Sequence, residues 1–391
     1  METANDAVIT RTSACNTSVT CAGNLQSVPS RTMASIHDLP VECLIKILSL
    51  IHRPSSIEYS VVPRYQDEAH YWYHYKSLGH LERASRVSNL WLTIAQPMLW
   101  RHINIWGEDC LGSKFKDRLE LLICSSALGR FRTEELDVFV VEDRAWDESW
   151  PNEYRCLLKG LQGLSKLVMI GNQSMNAEWV ELESLKDLKI LHAHNIVYYE
   201  TPPANFQLST LEIEAREGDD GSFINSIFTS SSHTLTSLKL TPETSDDQSL
   251  LEALQLVQRS LQTLEIVGEL WGLDEVLPNF ESLINVRFTF GYYDEVPCFD
   301  YLSAALGVLP SRATSVTLSL RSQRCDMETI VEYVIDYLKS AEKGWDRLSA
   351  VEFGLCADDG GTTEELVEDV KGWAEVVHLC GERDVKITKI V

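Results

Sequence analysis

No apolar run in the 391 residues approaches the length that a membrane-spanning helix needs. Residues 1–33 are rich in Ser, Thr and Asn and lack the apolar core of a secretory signal, which predicts an intracellular protein, cytoplasmic or nuclear. Cysteines number ten, at Cys15, Cys21, Cys43, Cys110, Cys124, Cys156, Cys298, Cys325, Cys356 and Cys380. None forms a Cys-x-x-Cys pair and no zinc-ligand spacing occurs, so they read as reduced thiols. No Gly-x-Gly-x-x-Gly follows a strand pattern, and no Walker motif, Gly-x-Ser-x-Gly elbow or His-Glu-x-x-His is present. These absences disfavour an enzyme and predict no cofactor and no metal. His70 and His74 stand four apart, but lack a third ligand and lie among aromatics that read as a packing patch. His192 and His194 flank Ala193 just after a repeat phrase, where alternation points both to one face; they read as a solvated or hydrogen-bonded pair.

Positive charge is also scarce: 34 Lys+Arg stand against 58 Asp+Glu, a net charge of -24. A field of that sign repels phosphate backbones and anionic lipid, which argues against nucleic acid and membrane surfaces as partners. It favours basic ones.

What is present divides the chain in three. Residues 1–33 hold few large apolar groups and cannot offset their ordering entropy by burial, so they read as disordered. Residues 34–105 turn helical and nearly neutral. Residues 106–391 carry most of the acidic excess and repeat.

The middle part opens with Asp38-Leu39-Pro40, where Pro40 suits the first turn of a helix. Leu44, Ile47, Leu48 and Ile51 then fall on one stripe. A second helix is predicted around Leu78–Val87. A third is predicted over Asn89–Gln96, capped by Ser88 and closed by Pro97. Leu39-Pro40 before an Ile/Leu-rich helix, then Ala84-Ser85-Arg86-Val87-Ser88-x-x-Trp91, then Leu99-Trp100-Arg101, resembles an F-box. That is the three-helix module that docks the Skp-family adaptor of cullin-type ubiquitin ligases. The match covers about a fifth of the chain. It departs from the family in an insertion over about 52–77 and in Leu90, where the family usually has a basic residue. The resemblance implies an adaptor-binding module built from Leu39, Pro40, Leu44, Ile45, Ile47, Leu48, Val87, Trp91, Leu99 and Trp100.

The third part carries the phrase Leu-x-x-Leu-x-Leu, starting at Leu164, Leu185, Leu208, Leu235, Leu261 and Leu283, with weaker copies at Ala313 and Leu348 and a possible first copy at Leu136. Starts from Leu164 are 21, 23, 27, 26, 22, 30 and 35 residues apart, and most fall within the period of leucine-rich repeats. Helical patterns fill the gaps. One carries Leu250, Leu251, Leu254 and Val257; another follows Asp326; a third follows the capping-box spelling Thr362-Thr363-Glu364-Glu365. Strand and helix alternating at this spacing predict an α/β fold, a parallel sheet with helices on one side. The Asn or Cys that ties one turn of such repeats to the next is missing. Arg216 and Glu269 occupy its place in two copies. The expected architecture is a three-helix F-box followed by an irregular leucine-rich-repeat solenoid, similar to those of fungal F-box proteins.

The resemblance implies a substrate-recruiting subunit of a Skp-cullin-F-box ubiquitin ligase without catalysis of its own. Its partners would be the adaptor, through it a cullin, and a target held by the repeats. The alternative is an interaction scaffold with no role in ubiquitin transfer. If the phrase leucines point inward, alternation sends Lys189, Leu191, Glu212, Glu214, Lys239, Thr241, Glu265, Val267, Arg287 and Thr289 to the opposite face. Of these, Glu212, Glu214, Lys239, Glu265 and Arg287 are the candidate target-binding residues, suited to a basic segment. Reversing the charge of Glu212 and Glu265 is then expected to leave the melting temperature nearly unchanged.

Overall fold

The computed structural model describes residues 40–51, 86–106, 122–125, 130–139, 156–161, 163–170, 185–194, 205–216, 222–243, 247–290, 298–322, 324–340, 345–355 and 367–390. Residues 1–33, Leu39, the 52–77 insertion with His70 and His74, most of the second predicted helix and the Thr362–Glu365 spelling lie outside them.

Helix α1 (Val41–Ile51) begins directly after Pro40, whose carbonyl accepts from the N–H groups of Cys43 and Leu44. Leu44 and Leu48 are buried and Ile47 is half-buried, as the predicted stripe requires. Helix α2 (Asn89–Arg101) is capped by Ser88, whose Oγ accepts from Trp91 N–H at 3.3 Å. Pro97 does not close it: the helix runs on to Arg101 with Pro97 inside. An interior proline costs about 3 kcal/mol. Here the turn that follows is held by packing: Met98 and Leu99 lie against Leu44, Leu48, Trp91 and Ala95, the small core shared by the two helices.

Among the described residues eleven strands follow: β1 (His102–Trp106), β2 (Glu135–Phe139), β3 (Lys166–Ile170), β4 (Ile190–His194), β5 (Thr210–Arg216), β6 (Ser237–Glu243), β7 (Thr263–Val267), β8 (Asn285–Phe290), β9 (Ser315–Ser322), β10 (Ala350–Leu355) and β11 (Lys386–Ile390). They form one sheet in strict sequence order, every pair parallel. The protein is thus an α/β protein whose sheet grows one strand per repeat, which is compatible with a solenoid-like array. Strand β1 continues straight from α2 and lies astride the boundary expected at 105–106.

The phrases explain the register. Leu167, Leu211, Leu238, Leu264, Val286, Val316 and Val351 are each at most 2% exposed on one face. Such burial is worth roughly 1.5–3 kcal/mol per side chain. A one-residue slip would turn a whole strand's set outward, so neighbouring strands keep each other in step. One copy is corrected by this rule. Leu191, not Leu188, stands between Leu167 and Leu211, and it is fully buried. The phrase of β4 is therefore Leu188-Lys-Ile-Leu191-His-Ala193, three residues later than its spelling suggests. Leu191 belongs to the core face, and Lys189 precedes the strand.

Helices α3 (Ser222–Ser231), α4 (Asp247–Val257), α5 (Leu273–Val276), α6 (Phe299–Gly307), α7 (Arg324–Ser340) and α8 (Trp373–Glu382) pack on this face. Their apolar sides and the strand leucines make one continuous core from Ile103 to Val385. Helix α7 starts at Arg324, so Asp326 lies within it and not before it. Helix α8 starts only at Trp373, because Gly372 takes a left-handed φ of 86° there. Trp373, Val376 and Cys380 are its buried side, and Val377 is exposed.

A hydroxyl ladder links the turns. Ser165 Oγ donates to the carbonyl of Glu134 at 3.0 Å, Ser209 Oγ to that of Lys189 at 3.1 Å, and Thr236 Oγ1 to that of Ser209 at 3.1 Å. Backbone N–H groups of the same residues donate to the same carbonyls, extending the sheet before each strand. In one repeat Glu269, at the place of the missing Asn, ties the next turn: its carboxylate accepts from Cys298 N–H at 2.8 Å.

Candidate functional site

Two surfaces bring together the residues singled out by sequence. The first is the helix pair. Its interior takes Leu44, Leu48 and Trp91, with Leu99 packed against them. Pro40, Val41, Ile45, Val87, Leu90 and Leu92 are exposed, and Val87 is 55% exposed. Of the ten candidate adaptor-binding residues, Pro40, Ile45 and Val87 thus offer contact surface, while Leu44, Leu48 and Trp91 hold the pair together. Trp100 is half-buried and packs against the sheet's core instead of the helix pair's. It stands three residues before Ile103, where other repeats carry the first leucine of the phrase.

The second surface is the sheet face away from the helices. Alternation along each strand brings one row across it: Asp137, Val168, His192, Glu212, Lys239, Glu265 and Arg287. All five candidate target-binding residues lie on this face, and each takes part in an ion pair within the chain. Glu212 is 6% exposed and is the hub of an ionic cluster. His192 Nδ1 lies 3.3 Å from its Oε2; His194 Nε2 and Lys239 Nζ lie 3.2 Å and 2.5 Å from its Oε1. Glu214 Oε2 is 3.9 Å from His194 Nδ1. Further along, Arg287 is held between two carboxylates: Nε is 3.6 Å from Glu265 Oε1, and the Nη atoms form a forked pair with Glu352. Thr289 Oγ1 donates to Glu265 at 3.1 Å. Near the first strands, His102 Nε2 and Asp137 Oδ2 are 2.7 Å apart, both buried.

Burial pushes the Glu212 carboxyl up, but the His194 hydrogen bond and the charges of His194, Lys239 and His192 together outweigh it and hold it at about 2. Burial dominates at His192 and lowers it to about 4 against the pull of Glu212, so this imidazole is neutral at pH 7. The face is an ionic lattice in which Glu212 and Glu214 meet Lys239 and His194, and Glu265 and Glu352 share Arg287. A lysine at position 212 would face the half-buried Lys239 as a second cation, so charge reversal there is expected to lower the melting temperature, contrary to the expectation from sequence.

Sequence reasoning placed His192 and His194 beyond their strand. Aligning Leu188-Lys-Ile-Leu191-His-Ala193 with Leu208-Ser-Thr-Leu211-Glu-Ile213 would have set His192 beside Glu212. Among the described residues, no group of three or more His, Cys, Asp or Glu is arranged to hold a metal ion. Among them, no helix is long and apolar enough to cross a membrane. Cys380 is buried, and burial pushes its thiol up to about 11, away from nucleophilic use.

The chain matches no protein-family model and no curated protein.

Proposed function

We propose that this chain is the substrate-recruiting subunit of a Skp-cullin-F-box type ubiquitin ligase, with the helix pair docking the adaptor and the leucine-rich-repeat array holding a target protein. The observation that carries the reading is the helix pair itself. Among the described residues its core is Leu44, Leu48, Trp91 and Ala95, and Val41, Ile45, Val87, Leu90 and Leu92 are exposed, an apolar surface of the kind that a partner covers. The ordered F-box spelling supplies the kind of partner. Helix α2 also runs into β1 without a linker, which would hold a captured target at a fixed distance from the ligase. The role needs no catalytic group: holding a lysine near a charged conjugating enzyme turns a bimolecular encounter into an effectively intramolecular one.

The test is co-purification of adaptor and cullin with the wild-type chain and with Ile45→Asp/Val87→Asp. Both side chains are exposed, so the fold should persist. Apolar anchors at an interface centre are worth about 2 kcal/mol or more, so adaptor capture should fall by more than about 30-fold. Undiminished capture would refute the docking role. Adaptor without cullin would assign the chain the scaffold role instead.

A further inference from the structure

On the sheet's helix-free face Lys239 and Arg287 already engage Glu212, Glu265 and Glu352, which leaves the rest of the excess behind the net charge of -24. Part of it lies on the helices. Over α3, α4, α5 and α6 the helical segments read SFINSIFTSS, DQSLLEALQLV, LDEV and FDYLSAALG, with five carboxylates and no lysine or arginine. On the same side three large apolar residues are exposed: Leu256 at 43%, Trp271 at 54% and Tyr333 at 45%. Trp271 and Tyr333 are positioned by the first turn of α6. The Trp271 ring sits 5.6 Å from that of buried Tyr301, and the Tyr333 ring stacks 5.1 Å from that of buried Phe299. Asp300, between those two anchors in sequence, is exposed and held by Tyr337, whose hydroxyl donates to Oδ1 at 3.1 Å. Asp274 and Glu275 follow Trp271 on α5.

We infer that this helix-side surface, centred on Trp271, Asp300 and Tyr333, is a docking site for a basic, Lys/Arg-containing segment of another protein. As the seat of the recruited target, it rests on the reading of the repeats given above. Charge complementarity selects the occupant: the carboxylates of α3–α6 have no lysine or arginine in the same segments, α7 carries four carboxylates against Arg324 and Lys339, and exposed aromatic faces bind Lys and Arg through their quadrupoles. The same sign of charge turns away nucleic acid and anionic membrane. A site on the opposite face would first have to break the Glu212 and Arg287 ion pairs; this one breaks none at Glu275, whose carboxylate projects into solvent.

The experiment is fluorescence anisotropy with the full chain and two labelled ten-residue peptides, one alternating Lys/Arg with Leu and one with every Lys/Arg replaced by Glu. The basic peptide should bind and the acidic one should not. Trp271→Ser should weaken binding by more than about tenfold, as expected for an aromatic anchor. Glu275→Lys, on an exposed side chain, should weaken it about threefold or more at low salt, while Ile45→Asp/Val87→Asp should leave it intact. No binding of the basic peptide, or binding indifferent to both Trp271→Ser and Glu275→Lys, overturns the inference. Loss of adaptor capture has no bearing on this assay, so the ligase role and the docking site fail separately.

Discussion

Removing Glu212 should destabilise the array far more than removing an ordinary surface carboxylate. Its side chain is 8% exposed and that of Lys239 is 12%, so the pair belongs to the buried class of ion pairs. In that class, deleting one partner strands the other charge away from water and costs about 3–5 kcal/mol, against roughly 0–1 kcal/mol for an exposed pair. Glu212→Ala should therefore lower the unfolding free energy by about 3–5 kcal/mol, read from the shift of the urea midpoint at unchanged slope by circular dichroism at pH 7.5. Glu275→Ala, on an exposed carboxylate, is the control and should stay within about 0.5 kcal/mol. Glu212→Leu with Lys239→Leu should recover at least half of the loss, because replacing both members of a buried pair by apolar groups is often close to neutral. If Glu212→Ala melts like Glu275→Ala, the cluster is solvated and the compensated lattice is wrong.

The same cluster should make the protein acid-sensitive. His192 is held at about 4 from 6.5, so between these values the unfolded chain binds the proton that the folded one refuses, and stability falls as pH falls from 6.5 to 4. Glu212, held at about 2 from 4.5, adds a second loss as pH drops from 4.5 toward 2. His192→Gln should flatten the first window in a pH series of thermal melts; an unaltered slope there would discount the burial of this imidazole. Leu191→Ala should cost about 2–5 kcal/mol and Lys189→Ala less than about 0.5 kcal/mol in the same denaturation assay. Equal effects would restore the phrase to its earlier register.

The leucine phrases by themselves determined most of the architecture. Their period called for parallel strands joined by helices, and their alternation chose the buried face, because both follow from local geometry repeated along the chain. Ser88 as a cap and the Leu44–Leu48 stripe were legible for the same reason. What failed was settled by neighbours. Lys-Ile-Leu offers two adjacent apolar residues, and only pairing with Leu167 and Leu211 decides that Leu191 is the buried one. Pro97 stops an isolated helix, but not one whose next turn packs on a core. The candidate target-binding charges were found as a row, since alternation is local. That they neutralise one another was not readable, because Glu212 meets His192, His194 and Lys239 only across strands 18 to 27 residues apart in sequence. Sequence states which charges the chain carries; the sheet's register decides which of them are already partnered and which remain, on the helix side, to meet another molecule.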